Sequence, residues 1–230
     1  MFYFTFNNRN NVTLGVEVVT RPSIPAPQLR GEYIQIAGRD GSLFETDGSY
    51  ENIEFPILLN YFRPPNEWGN TYRQVKAWLR GGGILRFSDD TDVFLKVKYC
   101  GVSEFERKTR YGANLEATFV CDPYTYHDSG TAEMTPNEAR FNPYALAKPI
   151  YKITGNGNAT LTVNGKTFTA LVGGNVTIDT DRMIAYRDNG VIETTTTEGD
   201  YDDLYLLPGE NTISITSGFT LKVIPNFRSL

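Results

Sequence analysis

The chain has 230 residues, 40% of them hydrophobic and 13% aromatic, and a formal net charge of −5 at pH 7. That balance argues against a protein that grips nucleic acid, which neutralises phosphates with Lys and Arg, and no stretch approaches the ~20 apolar residues of a membrane-spanning helix. The 14 Tyr and 14 Phe against 3 Met suit pleated surfaces, so the expected class is mainly β, as one large domain or two ordinary ones.

Phe2, Phe4 and Phe6 alternate with Tyr3 and Thr5, a half-buried strand closed by Asn7-Asn8. The start, MFYFTFNNRNN, has neither a basic leader nor a long apolar segment, so a soluble chain synthesised in the cytoplasm and not exported by a signal peptide is expected. Val12–Thr20 reads as a second strand. From Arg21 the proline run RPSIPAP should lie extended as a surface spacer. It feeds a short strand containing Tyr33, Ile34 and Ile36 and then a Gly38-Arg39-Asp40-Gly41 turn. Ile53–Tyr61 continues the strands, and Pro56, which cannot donate to a ladder, places that strand at an edge or a bulge.

The period then changes. Trp68, Tyr72, Val75 and Leu79 share one face of a helix expected over about residues 67–81, capped by Asn66 or Asn70 and ended by Gly81-Gly82-Gly83. Its apolar stripe is a seam for packing on a sheet. Strands return at Ile84–Phe87, Val93–Tyr99 and Asn114–Cys121, with a projecting polar connection at 103–112. Asp89, Asp90 and Asp92 cluster in a turn but lack the glycine and downstream glutamate of an EF-hand, so no metal is expected. Cys100 and Cys121 have no metal or redox spacing and read as buried free thiols, with a disulfide as the alternative.

Residues 121–149 hold four prolines and no apolar periodicity, which suggests a linker at 126–148 between domains at 1–125 and 149–230. His127, the one histidine, lies there. Beyond it, short strands recur at even spacing as in a β-sandwich: Ile150–Thr154, Thr160–Val163, Lys166–Val172, Val176–Asp179, Met183–Arg187, Val191–Thr195, Asn211–Thr216 and Phe219–Ile224. Asn164-Gly165 is the strongest hairpin signal, and Gly173-Gly174 reads as another turn.

No catalytic constellation emerges. Gly81–Gly83 follows a helix, whereas a phosphate cradle precedes one, and Asp179/Asp181, the carboxylate pair that strand alternation would place on one face, lies beside a turn where Asp is common. The expectation is no enzyme and no cofactor. The acidic loop at 198–203, with Tyr201 and Tyr205 beside it, is the candidate ligand face.

Taken in order, the FxFN-like start, the V-V-T-R-P loop, the G-R-D-G turn and the tryptophan helix resemble the N-terminal half of the distal tail proteins (Dit) of long-tailed, siphovirus-type bacteriophages and prophages. P-x-x-x-I-x-G at Pro149–Gly155, the N-G hairpin, V-T-I-D-T, L-L-P-G-E-N-T-I and the terminal N-F-R-S-L resemble their C-terminal half. The resemblance implies a tail-tube-like N-terminal β domain with one helix and a galectin-like or carbohydrate-binding-module-like C-terminal sandwich. It also implies a structural role as a homohexameric ring at the virion tail tip that joins the tail tube to a tail-associated hub, lysin or fibre protein and to receptor-binding or baseplate proteins. DNA would pass through the lumen without specific binding, and no membrane insertion is involved. Under this reading Arg39, Asp40, Pro56 and Arg63 are candidate subunit contacts. The alternative is a carbohydrate-binding module that recognises host cell-surface glycan through Tyr201 and Tyr205.

Overall fold

The structure, a computed structural model, describes residues 2–193 and 196–230. The chain divides into two compact units, residues 1–125 with Leu230, and residues 126–229.

In the first unit the strands are β1 (Phe4–Phe6), β2 (Arg9–Asn10), β3 (Val16–Val18), β4 (Leu29–Gln35), β5 (Ser42–Tyr50), β6 (Ile53–Phe62), β7 (Gly83–Phe87), β8 (Asp90–Val102), β9 (Glu106–Arg107) and β10 (Gly112–His127), with helix α1 at Pro65–Trp78. The main sheet has the order β2-β1-β7-β8-β10-β6-β3, with β9 paired to β10. Strict alternation builds its core. In β6 the side chains of Ile53, Phe55, Ile57, Leu59 and Tyr61 are buried, while Glu54, Pro56, Leu58 and Phe62 face out. Each buried apolar side chain contributes roughly 1.5–3 kcal/mol.

Helix α1 closes that core. Val75 and Leu79 are fully buried, with Trp68, Tyr72 and Trp78 packed partly against the same cluster. The Trp78 ring stacks on Phe4 at 5.3 Å, and its indole N–H donates to the Phe6 carbonyl at 2.9 Å. Neither Asn66 nor Asn70 caps the helix. Pro64 occupies the N-cap without a side-chain bond, and Pro65 starts the first turn, where its fixed φ fits and its missing N–H costs nothing. Cys100 and Cys121 are free and buried, and desolvation pushes both thiols up to about 12.

The second unit holds β11 (Phe141–Asn142), β12 (Ile150–Val163), β13 (Lys166–Asp179), β14 (Ile184–Tyr186), β15 (Thr197–Glu198), β16 (Gly209–Glu210), β17 (Ile213–Ile215), β18 (Thr220–Ile224) and β19 (Arg228–Ser229), with a single helical turn, α2, at Pro136–Ala139. Its backbone is the long hairpin β12–β13, turned at Asn164-Gly165 with φ of 50° and 80°. Gly173-Gly174 is no turn, and β13 continues through it. The facing stretches Gly155–Gly157 and Gly173–Gly174 bend both strands together. On one side of the bend β14 and β18 flank the hairpin, and on the other β15 and β17 do. The hairpin thereby forms the centre of one six-stranded sheet, and Tyr151, Leu161, Phe168 and Ile178 on its inner face lie in a single core.

Residues 126–148, whose composition suggests a linker, are built into this unit. Met134 bridges Val223, Ala147 bridges Leu206, and the Asn142 amide donates to the Ala145 and Leu206 carbonyls. Proline and polar residues are used here for backbone bonding in an irregular path, which periodicity does not register. Of the strand expected at Val191–Thr195, Ile192 forms a bridge to Tyr186, and Thr194 and Thr195 lie outside the described residues. No helix among the described residues is long and apolar enough to cross a membrane.

Candidate functional site: an exposed hairpin and its surroundings

The most distinctive surface is the hairpin β4–β5, a two-stranded sheet of its own. From Leu29 to Gly48 every residue is exposed, Tyr33 to 75%, and its apolar side chains also include Ile34, Ile36, Leu43 and Phe44. Strands of this length reach about 20 Å from root to tip. The root is held by a backbone bond from Glu51 N–H to the Gln28 carbonyl and by an edge-on contact of Tyr50 with Tyr124. At the tip Gly38 and Gly41 adopt φ of 79° and 76°, which frees Arg39 and Asp40 to stand out into solvent. Neither makes an ion pair among the described residues.

Register fixes what each face of the hairpin shows. Tyr33 opposes Phe44, their rings 4.9 Å apart, and Gly31 lies beneath the Phe44 ring, where a Cβ would come within 2.5 Å. The opposite face pairs Glu32 with Glu45 and Ile34 with Leu43. Sequence reading finds the β4 strand and the turn but not β5, Phe44 or the opposed glutamates. The alternation in Ser-Leu-Phe-Glu-Thr carries that signal faintly, because neither face is wholly apolar.

Pro56 sits in β6, which is not an edge strand along its whole length. It pairs with Thr118 of β10, while β3 covers only Leu59–Tyr61 on the other side. The proline thus falls where β6 has a strand neighbour on one side, a position that tolerates a missing donor. Arg63 follows the same strand. It is exposed, its N–H bonds to the Tyr111 carbonyl at 3.0 Å, and its guanidinium packs over Gly15 beside a hollow of about 210 Å³ lined by Val12, Glu17 and Phe62. Phe62 is 63% and Tyr111 54% exposed. The structure therefore separates the candidate contacts into a hairpin tip (Arg39, Asp40) and the length and far end of β6 (Pro56, Arg63).

The two tyrosines of the second unit do not form an open platform. Tyr201 tilts against Phe168 at 5.1 Å with its hydroxyl oxygen buried and unpaired among the described residues. Tyr205 lies under the Lys148 ammonium at 5.3 Å, and its phenol is pushed well above its usual range by desolvation and by the hydrogen bond to Asp202. Beside Tyr201, Met183, Asp200, Asp202 and Asp203 line a shallow hollow of about 260 Å³. His127 stacks flat on Tyr144 at 3.6 Å, with Nε2 3.0 Å from the Ser229 hydroxyl. Asp89 pairs with Arg21, and no group of three or more His, Cys, Asp or Glu among the described residues is placed to hold a metal.

No protein-family model matches the sequence, and no curated protein matches it. Among solved structures the chain is similar to the crystal structure of Dit (gp 19.1) of phage SPP1, described as a paradigm of the hub adsorption apparatus in phages that infect Gram-positive bacteria. The two superpose with a TM-score of 0.69 at 14% identity, over 100% of both chains. The chain thus has a Dit-like fold along its whole length.

Proposed function

We propose that this chain is a non-catalytic structural component of a phage or prophage tail tip, a distal tail protein whose first unit closes into a homohexameric ring between the tail tube and the adsorption apparatus. The observation that carries this reading is the full-length fold match to the SPP1 hub protein. The exposed β4–β5 hairpin adds support, since a free two-stranded hairpin is at best marginally stable in water and this one exposes a row of apolar side chains. Ring closure is a head-to-tail contact between unlike surfaces. Arg39 and Asp40 at the hairpin tip and Pro56 and Arg63 along β6 are the residues assigned to it. The acidic chain suits a lumen through which DNA must pass without being held. Tube, hub, fibre and receptor-binding proteins would dock on the faces and rim of the ring.

The glycan-binding alternative has weaker support, because Tyr201 spends its ring on Phe168 and Tyr205 is engaged by Lys148 and Asp202. Light scattering of the purified chain across a concentration series, with negative-stain imaging, tests the proposal. A ring of six times the 25.8 kDa chain mass is the expected species. A strict monomer that binds glycan through residues 126–229 would replace it with the alternative.

A further inference from the structure

We infer that the Asp40-Gly41 peptide at the tip of the β4–β5 hairpin is a site of spontaneous modification, where aspartate in the free chain isomerises to isoaspartate through a cyclic imide. The inference goes beyond the ring reading and does not depend on it.

The chemistry needs no enzyme and no cofactor. The Gly41 backbone nitrogen attacks Cγ of the protonated Asp40 carboxyl group. A C–N bond forms, the bond from Cγ to the carboxyl hydroxyl breaks, and the hydroxyl leaves with the amide proton as water. Water then adds back to the imide. Addition at Cγ, with release of its bond to nitrogen, restores aspartate. Addition at the Asp40 main-chain carbonyl carbon instead leaves the chain running through Cγ, with the former main-chain carbonyl as a free carboxylate. Three conditions favour the attack: a following residue without a side chain, an unengaged carboxyl and N–H, and a backbone free to turn the nitrogen toward Cγ.

The chain contains five Asp-Gly or Asn-Gly pairs, and the structure holds four of them. Asn156 and Gly157 stand in the β12–β13 ladder opposite Gly173 and Val172. At Asn164-Gly165 the Asn164 amide donates to Asn211 Oδ1 at 2.7 Å, and its own Oδ1 accepts the Thr212 N–H at 2.9 Å. At Asn189-Gly190 the Gly190 N–H donates to the Arg187 carbonyl at 2.8 Å, and Asn189 Oδ1 accepts the Val191 N–H at 3.1 Å. Asp47-Gly48 is the nearest comparison, being the same dipeptide on the same hairpin. There Asp47 Oδ1 accepts the Ser49 N–H and hydroxyl at 2.8 and 2.6 Å, and the Gly48 N–H donates to the Thr46 hydroxyl at 3.0 Å. These Ser49 bonds also hold the Asp47 carboxyl below the usual range, so it keeps its charge, and a carboxylate has no hydroxyl to release.

Asp40-Gly41 has none of these restraints. Among the described residues neither the Asp40 carboxyl nor the Gly41 N–H has a hydrogen-bond partner. The tip's backbone bond, from the Arg39 N–H to the Ile36 carbonyl at 3.1 Å, closes before Asp40. Both residues are exposed, Gly41 has φ of 76°, and nothing lies within 4 Å of where its Cβ would stand. Isomerisation there lengthens the backbone of the turn by one carbon and moves the carboxylate onto Cα. Under the ring reading that change falls at a residue assigned to subunit contact, so ageing of the free chain and ring closure compete.

The test is peptide mapping of the full chain, fresh and after several weeks at mildly acidic pH, with electron-transfer fragmentation to separate isoaspartate from aspartate. Isoaspartate at Asp40 should exceed that at Asp47 by about tenfold or more, because attack at Asp47 must first break the bonds to Ser49 and Thr46. Ageing in heavy-oxygen water should place the label at residue 40. Asp40→Glu, whose longer side chain closes a less favourable ring, should show no isomer there. Isoaspartate at Asp40 no higher than at Asp47, whatever the mass of the chain by light scattering, overturns the inference and leaves the ring reading standing. An isomer signal that persists unchanged in Asp40→Glu overturns the assignment to this residue.

Discussion

The chain contains two long hairpins built from similar local signals and put to opposite uses. The β12–β13 hairpin buries Tyr151, Ile153, Ala159, Leu161 and Val163 on one strand and Phe168, Ala170, Val172, Val176 and Ile178 on the other, and forms the centre of its unit. The β4–β5 hairpin, poorer in branched residues, exposes everything from Leu29 to Gly48. What separates them is register content. In β12–β13 the inward positions are uniformly apolar on both strands, so one face can be sealed. In β4–β5 each face mixes classes: Glu32 with Ile34 on one, Gly31 with Tyr33 on the other. A hairpin that cannot bury either face within its own chain is suited to meet a surface with matching charges.

The contrast breaks most severely at Phe168, which is 1% exposed and packs in the core of the β12–β13 unit. Phe168→Ala should cost about 3–5 kcal/mol in a denaturant melt, through lost transfer energy and the cavity left behind. A smaller loss is expected at the bend. Gly155 has φ of 153°, and a Cβ there would come within 2.4 Å of the Phe219 ring. Gly155→Ala should therefore cost about 1–3 kcal/mol, read in the same melt, because the strand must leave a conformation that only glycine holds without strain.

That bend also shows where sequence reading stops. The strands at Phe4–Phe6 and Ile53–Phe62, the helix face of Val75 and Leu79, and the Asn164-Gly165 turn are all legible, because each rests on a local period or a local φ requirement. Gly173-Gly174 is locally indistinguishable from a turn. Only its pairing with Gly155 and Asn156, nearly twenty residues away, makes it a shared kink. For the candidate surface, the Arg39-Asp40 tip is legible as a turn, whereas the opposition of Glu32 to Glu45 depends on a register no single strand encodes. Tyr201 and Tyr205 lie close together in sequence but one is spent on Phe168 and the other on Lys148, a division set by tertiary packing.

The buried thiols extend the comparison to the core of the first unit. Burial raises Cys100 and Cys121 from 9.0 to about 12, so folding disfavours their thiolates. Their contribution to stability is fully present below pH 9 and is lost as pH rises from there through about 12, because only the unfolded chain readily gives up these protons. The native chain should therefore stay unreactive to a thiol reagent at pH 8, and both cysteines should react on unfolding. Cys→Ser variants should lose the part of the alkaline destabilisation that sets in above pH 9.

The smallest effect on stability should come from the exposed hairpin. Tyr33 and Phe44 touch each other on an exposed two-stranded sheet and belong to neither core cluster. Replacing both with Ser removes one cross-strand aromatic contact, so the melting free energy of the isolated chain should change by no more than about 1 kcal/mol. If the Tyr33–Phe44 face of the hairpin lies against a neighbouring subunit, the same variant removes two aromatic side chains from a buried contact, the kind of residue that dominates such interfaces. The light-scattering mass should then fall toward that of a single chain while the melt barely moves. A melt that shifts by as much as Phe168→Ala would mean the hairpin is held within its own chain after all, and the distinction between the two hairpins would fail.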